Sequence, residues 1–383
     1  MAWAEVAEVP SGLGDAAPIR CYAQPMATHA FTLNDALERD GLRYPFGNLA
    51  PQPGELIEVA PGVHWWRLPM FGPLKHVNGF ILDAGSEAGA GDPAGVTIVD
   101  TGFNNDASVA AWRAMLAGKP VAQVLCTHFH PDHVGLAGWL CREHDAPLVM
   151  TRTEWLQLRL LTADTRDETP AEMLAFWRAA GWTEEQVAHA ASRGWGNFAR
   201  IVSGLPLAFR RIADGDVLTI GGTRWEVVTG NGHSPEHACL LDRDRGILIA
   251  GDQVLPRISS NVSLGVSEPE GDPLGDWLAS IAKLRQLPHD LLVLPGHGDP
   301  FTGLHTRLDQ LDTEHAERLD AVAAHLANPA RAVDCFTQLF RRPIGPDVLG
   351  MATGEALAHL RHLEVTGRAR REVRDGVWWY HAT

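Results

Sequence analysis

Short apolar runs cut by glycine or proline alternate along this chain with stretches of helical spacing. The runs at Glu55–Val59, Val63–Leu68, Val77–Asp83 and Val96–Asp100 are rich in β-branched and aromatic residues and predict strands. A helix is expected over Ser108–Ala117, a buried strand over Val121–Leu125, a helix over Val134–His144 and a strand at Leu148–Met150. From Thr151 to about Arg211 the spacing turns helical, around Trp155–Leu161, Pro170–Ala180 and Thr183–Ala191, with Thr183 and Gln186 fitting a capping box. Strands return at Val217–Ile220, Arg224–Thr229, Ala238–Leu241, Ile247–Ala250 and Leu291–Leu294. Asp272 before Pro273 marks a helix start, and a longer helix places Leu304, Leu308, Leu311, Leu319, Val322 and Leu326 on one stripe.

The ends of the chain read differently. Residues 1–54 are rich in Pro and Gly, with one short helix expected over Thr32–Leu37. They predict an arm lying on the main domain or on a neighbouring subunit, which would make the protein a homodimer. Beyond a helix at Gly354–Leu363, the segments Arg368–Arg374 and Val377–Tyr380 flank Asp375-Gly376 and predict a hairpin. Helices followed by a hairpin describe a winged-helix module. The expected division is an arm at 1–54, a main domain at 55–312 with a helical insertion at about 151–211, and a C-terminal winged-helix-like domain at 313–383.

Composition narrows the partners. With 45% hydrophobic and 21% charged residues, the 383-residue chain can build a large core. A net charge of −15 argues against coating nucleic acid or an anionic membrane, and no run of 18 apolar residues offers a membrane span. The expected partner is therefore a small-molecule substrate. Five cysteines without close pairing, and no basic-then-apolar leader, fit a reducing compartment and predict a cytoplasmic protein.

The chemistry concentrates after the strand at 121–125. Thr127-His128-Phe129-His130-Pro131-Asp132-His133 packs three imidazoles and a carboxylate into six positions. Imidazole nitrogen and carboxylate oxygen suit zinc and similar divalent metals. Four ligands on so short a loop exceed what one tetrahedral ion takes from it, so the spacing suggests two adjacent ions. Three more candidate ligands follow strand ends: His233 in Gly230-Asn231-Gly232-His233-Ser234, Asp252 after Gly251, and His297 in Pro295-Gly296-His297-Gly298.

The series His-x-His-x-Asp-His, Gly-His-Ser-Pro-x-His, Gly-Asp and Gly-His resembles the metallo-β-lactamase superfamily, and Val99-Asp100-Thr101-Gly102 resembles its early Asp-Thr-Gly turn. The resemblance covers about Glu55 to Gly303. It implies an α+β fold, an αββα sandwich with the site at one edge. It also implies that His128, His130 and His233 hold a first metal, that Asp132, His133 and His297 hold a second, and that Asp252 bridges them. Zinc is the expected ion, with manganese and iron also compatible. The zinc β-lactamases place Cys or Ser where this chain has Asp252. A bridging Asp is similar instead to the glyoxalase II, lactonase, thioesterase, tRNase Z and phosphodiesterase branches. The tail resembles that of the lactamase-β-like two-domain group.

The implied reaction is hydrolysis by a metal-bound hydroxide of a thioester, ester or lactone. The alternative within the superfamily is a single-strand RNA endonuclease or phosphodiesterase. Asp132 is the candidate for passing the proton. Asp100 and His237 are candidates for orienting ligands. His76, Trp155, Trp177, Ser259 and Asn261 are candidate substrate contacts, Trp155 and Trp177 as part of an apolar lid formed by the insertion. His315, in the apolar stripe of the long helix, reads as an interhelical histidine.

Overall fold

Side-chain alternation along the strands decides how the layers stack. In the computed structural model, which describes residues 36–70, 74–84 and 95–383, the described chain opens with β1 (Leu37–Arg39) and β2 (Leu42–Tyr44). Strands β3 (Ile57–Ala60), β4 (Val63–Pro69), β5 (His76–Leu82), β6 (Val96–Val99), β7 (Val121–Leu125), β8 (Leu148–Thr151) and β9 (Arg210–Ile212) form one sheet in that order. Strands β10 (Val217–Ile220), β11 (Thr223–Gly230), β12 (His237–Asp242), β13 (Ile247–Gly251), β14 (Leu292–Pro295) and β15 (Phe301–Thr302) form the second, completed beyond β15 by β2 and β1.

The sheets face each other. Val63 and Trp65 of β4 pack with Ala238 and Leu240 of β12 in the layer between them. The intervening positions point outward: Trp66 and Leu68 join one helix-covered layer and Cys239 and Leu241 the other. Helices α1 (Asp106–Leu116), α2 (Pro131–Val134), α3 (Ala137–His144) and α4 (Arg152–Ala163) lie on the first sheet's side, followed by α5 (Ala171–Ala179), α6 (Glu184–Ala191) and α7 (Phe198–Ile201) of the insertion. Helices α8 (Pro273–Leu284) and α9 (Leu304–His325) cover the second sheet, and α10 (Phe336–Leu339) and α11 (Leu349–Val365) pack on them. The fold is thus α+β, with the expected αββα layering.

Three expectations change. The helix expected over Thr32–Leu37 is replaced at Leu37 by β1, and Thr32–Asp35 lie outside the described residues. Arg43 of β2 pairs with Thr302 of β15, so this part of the 1–54 segment is sheet. The helix expected over Val134–His144 is two helices, α2 and α3, separated at Gly135-Leu136. Residues 312–313, the expected domain boundary, fall inside α9. The capping box at Thr183 and Gln186 and the Asp272 cap of α8 form as the spacing requires.

The C-terminal end is α11 followed by the antiparallel hairpin of β16 (Ala369–Arg374) and β17 (Val377–Ala382). Three of its arginines are engaged within the chain, Arg368 with Asp320, Arg371 with Glu270 and stacked on Trp378, and Arg374 with Glu372, while Arg370 is exposed. No described helix is long and apolar enough to cross a membrane. Cys126, Cys141, Cys239 and Cys335 are buried free thiols, while Cys21 lies outside the described residues.

His315 of α9 is fully buried against Trp277 of α8 and His359 of α11, and its Nε2 bonds Ser259 Oγ at 3.0 Å. Burial lowers its pKa to about 3, helped by His359, Arg318, Arg307 and His362. A histidine depressed in this way is neutral in both states above about pH 6.5. Below that pH the unfolded chain gains a proton that the folded chain refuses, so stability falls with acidification. The loss attributable to His315 is about 2 kcal/mol by pH 5. Urea denaturation at pH 7.5, 6 and 5 should therefore fall less steeply for His315→Gln than for the wild type. Identical slopes would show that this histidine is not the sensitive group.

Candidate metal centre

Strand direction brings the candidate ligands to one edge. β6 and β7 run parallel, as do β13 and β14, while β11 is antiparallel to β12 and β12 to β13. The carboxyl ends of β6, β7, β11, β13 and β14 therefore open on the same side, delivering Asp100, the 127–133 loop, His233, Asp252 and His297. Backbone approach there is close enough to demand glycine. A Cβ on Gly296 would collide with Asp252 Oδ1 and lie 2.8 Å from His133 Cε1. One on Gly251, at φ +49°, would lie 2.6 Å from His237 Nε2.

All seven candidate ligands meet. His128, His130 and His233 form one group, Asp132, His133 and His297 another, and His128, His133 and Asp252 a third between them; the ligand atoms of each lie within 4.8 Å of one another. Asp252 reaches both sides, with Oδ1 3.4 Å from His133 Nε2 and Oδ2 3.2 Å from His297 Nε2 and 3.6 Å from His233 Nε2. His130 contributes Nδ1, 3.0 Å from His233 Nε2.

Four of the five histidines are oriented from behind. His128 Nδ1 donates to Thr127 Oγ1 at 2.9 Å, and His133 Nδ1 to Asp100 Oδ2 at 2.8 Å. His233 Nδ1 donates to the Asn261 carbonyl at 2.8 Å, and His297 Nδ1 to that of His76 at 2.7 Å. These acceptors place the proton on Nδ1 and leave Nε2 facing the centre, as in metal sites. Asp100 also accepts from the Thr127 hydroxyl and backbone N–H, so one carboxylate steadies two ligands.

The electrostatics split the cluster. Burial, reinforced by the neighbouring imidazoles, holds His128 well below its usual pKa; burial and His233 lower His130 to about 3. For His133 and His297 burial acts in the same direction, but Asp252 and Asp132 outweigh it, raising His133 well above the usual value and His297 to about 10. Burial would raise Asp252, yet His297 and His133 hold it well below the carboxylate range. Asp252 and Asp132 thus set negative charge beside His133 and His297, a charge that a cation can balance. His133 Nε2, His297 Nε2 and Asp252 Oδ1 are buried without a hydrogen-bond partner among the described residues. Orphaned atoms converging from a histidine–aspartate set fit a divalent metal, because buried polar groups otherwise carry a partner.

The remaining sequence candidates divide. His237 is buried, stacks on His128 at 4.8 Å, and its Nε2 accepts from the Asp252 backbone N–H at 3.1 Å. His76 opens β5; besides bonding His297 through its carbonyl, its Nε2 accepts from Gly298 N at 3.2 Å. Asn261 acts on His233 through its main chain, while its side chain bonds Glu355. Ser259 turns its hydroxyl to His315. Trp155 stacks on Phe209 in the layer outside the first sheet. Trp177 stacks parallel on Trp182 and lines a large cavity beside the site.

Sequence reasoning missed Glu154 and gave Asn78 no role. The buried Glu154 carboxylate accepts from Phe129 N at 2.9 Å, Ser234 Oγ at 2.6 Å and Glu236 N at 2.8 Å, joining the loops of His128 and His233. Burial raises its pKa to about 7 against those three bonds. Asn78 of β5 donates to the Pro295 and Gly298 carbonyls and accepts from Trp65 and Arg67, tying the His297 turn to the opposite sheet. The sequence offered one signal for Glu154, the spacing Thr151-x-x-Glu154, but it reads as a capping box. Thr151 instead bonds the Glu236 carbonyl.

Two facing sheets with a histidine–aspartate centre at their shared edge define a metallohydrolase scaffold. Residues 90–297 match the metallo-beta-lactamase superfamily, and residues 319–383 match the metallo-beta-lactamase-like C-terminal domain. The chain belongs to the metallo-β-lactamase superfamily. It is similar to a beta-lactamase domain protein of Burkholderia ambifaria, with 37% identity, a TM-score of 0.78, and coverage of 90% of this chain and 100% of that one. It is also similar to the probable metallo-hydrolase YqjP of Bacillus subtilis, 24% identical over 282 residues, 70% of this chain and 84% of that one. A shorter stretch is 29% identical over 115 residues to an atrochrysone carboxyl ACP thioesterase of Aspergillus fumigatus, covering 30% of this chain and 25% of that one.

Truncating Glu154 to Ala strands three donors in a buried site. The expected cost is about 3 kcal/mol of folding stability, read as a lower urea midpoint with unchanged m-value. Wild-type stability in the variant would remove Glu154 from the structural account.

Proposed function

We propose that this protein is a dinuclear-metal hydrolase of small carbonyl substrates, namely thioesters, esters or lactones. The observation that carries the reading is the convergence of buried, unpartnered ligand atoms of His133, His297 and Asp252 beside the His128, His130 and His233 group. In this reading His128, His130 and His233 hold one ion, Asp132, His133 and His297 the other, and Asp252 lies between. Zinc is the expected occupant, and the mixed nitrogen and oxygen donors also suit manganese or iron. Divalent cations held there supply a water acidified into the neutral range and a Lewis-acid contact for a carbonyl oxygen.

The chain's own groups do the positioning. Asp100, Thr127 and the carbonyls of Asn261 and His76 hold imidazoles with Nε2 inward, so little reorganisation accompanies binding. Asp132 is the residue we assign to proton transfer. Its Oδ2 lies 3.2 Å from His297 Nε2, and its side chain is 12% exposed against 8% for Asp252, giving it the better route to solvent. The net charge of −15 and the internal pairing of Arg368, Arg371 and Arg374 favour a small-molecule substrate over nucleic acid. The similarity to a thioesterase supports the thioester class.

The test is a panel of acyl thioesters, esters and lactones assayed with protein reconstituted in zinc, manganese or iron. Turnover should require metal and fall at least a thousandfold in His128→Ala. Inertness towards the whole panel, with His128-dependent cleavage of unstructured RNA, would replace this reading by the nuclease one. The role given to Asp100 has its own readout. Asp100→Asn should weaken metal affinity by about 10–100-fold in competition with a chromophoric chelator, and undiminished affinity would contradict it.

A further inference from the structure

A cavity of about 1400 Å³ lies between the helical insertion, the 263–267 loop and the start of α11. It exceeds the ~300–1,000 Å³ of ordinary small-ligand clefts. One wall is the Trp177–Trp182 pair, stacked parallel with centroids 5.0 Å apart. Trp182 is held there by a 2.8 Å bond from its Nε1 to Thr353 Oγ1 of α11, which ties the insertion to the C-terminal helix. Leu160 and Met351 face the cavity from opposite sides and are 54% and 55% exposed. Apolar side chains left wet on both sides of a cleft mark a surface that a ligand can dry.

Two chains of contacts run from the cavity lining to the centre, and both end on the same group of imidazoles. Phe198 of the lining has its ring 6.1 Å from that of Phe129, which lies 4.5 Å from that of His130. Ser263 of the lining donates to Asn261 Oδ1 at 2.6 Å, and the Asn261 carbonyl accepts from His233. The charge of the lining selects the occupant. Its one arginine, Arg193, is occupied by Asp347 and His189, and Asp164 is paired with Arg166, so no arginine or lysine of the lining is free to hold an anion. A phosphate or carboxylate therefore finds no counter-charge there.

We infer that this cavity binds the uncharged apolar part of the substrate, a long-chain or aromatic acyl group, and so sets the substrate class. The inference rests on the hydrolase reading above, but its binding arm does not depend on turnover. The probes are neutral: the dye N-phenyl-1-naphthylamine, and the non-hydrolysable thioether S-dodecyl-N-acetylcysteamine as competitor. The full chain should bind the dye and release it to the thioether. The double variant Leu160→Glu/Met351→Glu, altered only at exposed positions, should bind both at least tenfold more weakly. Leu207→Glu, an 88% exposed residue outside the lining, should match the wild type. In the catalytic arm, N-acetylcysteamine thioesters from acetyl to dodecanoyl should show kcat/KM rising at least tenfold with chain length, a preference that the double variant loses. Equal probe binding by wild type and double variant, no binding by the wild type, or turnover indifferent to chain length would each overturn the cavity assignment. Probe binding abolished only in the double variant, with every thioester, ester and lactone inert, would uphold the cavity and sink the hydrolase reading instead.

Discussion

Five imidazoles and two carboxylates held together out of water are costly to bury, and the rest of the site is organised around that cost. The protein meets it in two ways. Asp132 and Asp252 raise the pKa of His133 and His297, while burial lowers that of His128 and His130. Behind the ligands, Asp100, Thr127 and the carbonyls of Asn261 and His76 fix the imidazole tautomers. What stays unpaired are atoms aimed at the centre, and a cation is the group that satisfies them together.

The same need for rigidity explains groups remote from the ligands. Asn78 crosses from β5 to the His297 turn, and Glu154 spans the loops of His128 and His233. Each takes several hydrogen bonds from different segments, so the loops cannot move independently. Glycine at 251 and 296 lets the backbone come as near as this arrangement requires. On one side of this rigid edge the insertion and α11 form an apolar chamber, pinned by Trp182 and Thr353. The candidate centre and this chamber are thus built by different segments, the centre by strand ends and the chamber by the insertion and α11.

Most strands of the sandwich were legible because β-branched runs end at Gly or Pro, and Val121–Leu125 forms as its sequence indicates. The short pieces were not. β1, β2, β9 and β15 have two or three residues each, too few to show a period, and they exist because neighbouring strands offer edges to pair with. The Val134–His144 periodicity concealed a break at Gly135, where a Cβ would press on the backbone of Gly102 and Asn104.

For the site, the sequence by itself determined the inventory of candidate ligands: imidazoles and carboxylates at fixed spacing after strand ends are a chemical pattern legible without coordinates. It could not determine which other residues serve that inventory. Glu154 carries a capping-box spacing, Trp155 looks like any lid aromatic, and Ser259 looks like a pocket hydroxyl; their partners lie 82, 54 and 56 positions away, at Glu236, Phe209 and His315. Long-range partnership depends on how two sheets and an insertion pack, and local spacing carries no record of that. Tertiary structure alone therefore decided the supporting bonds and the cavity, because both are made by segments that meet only when the chain is folded.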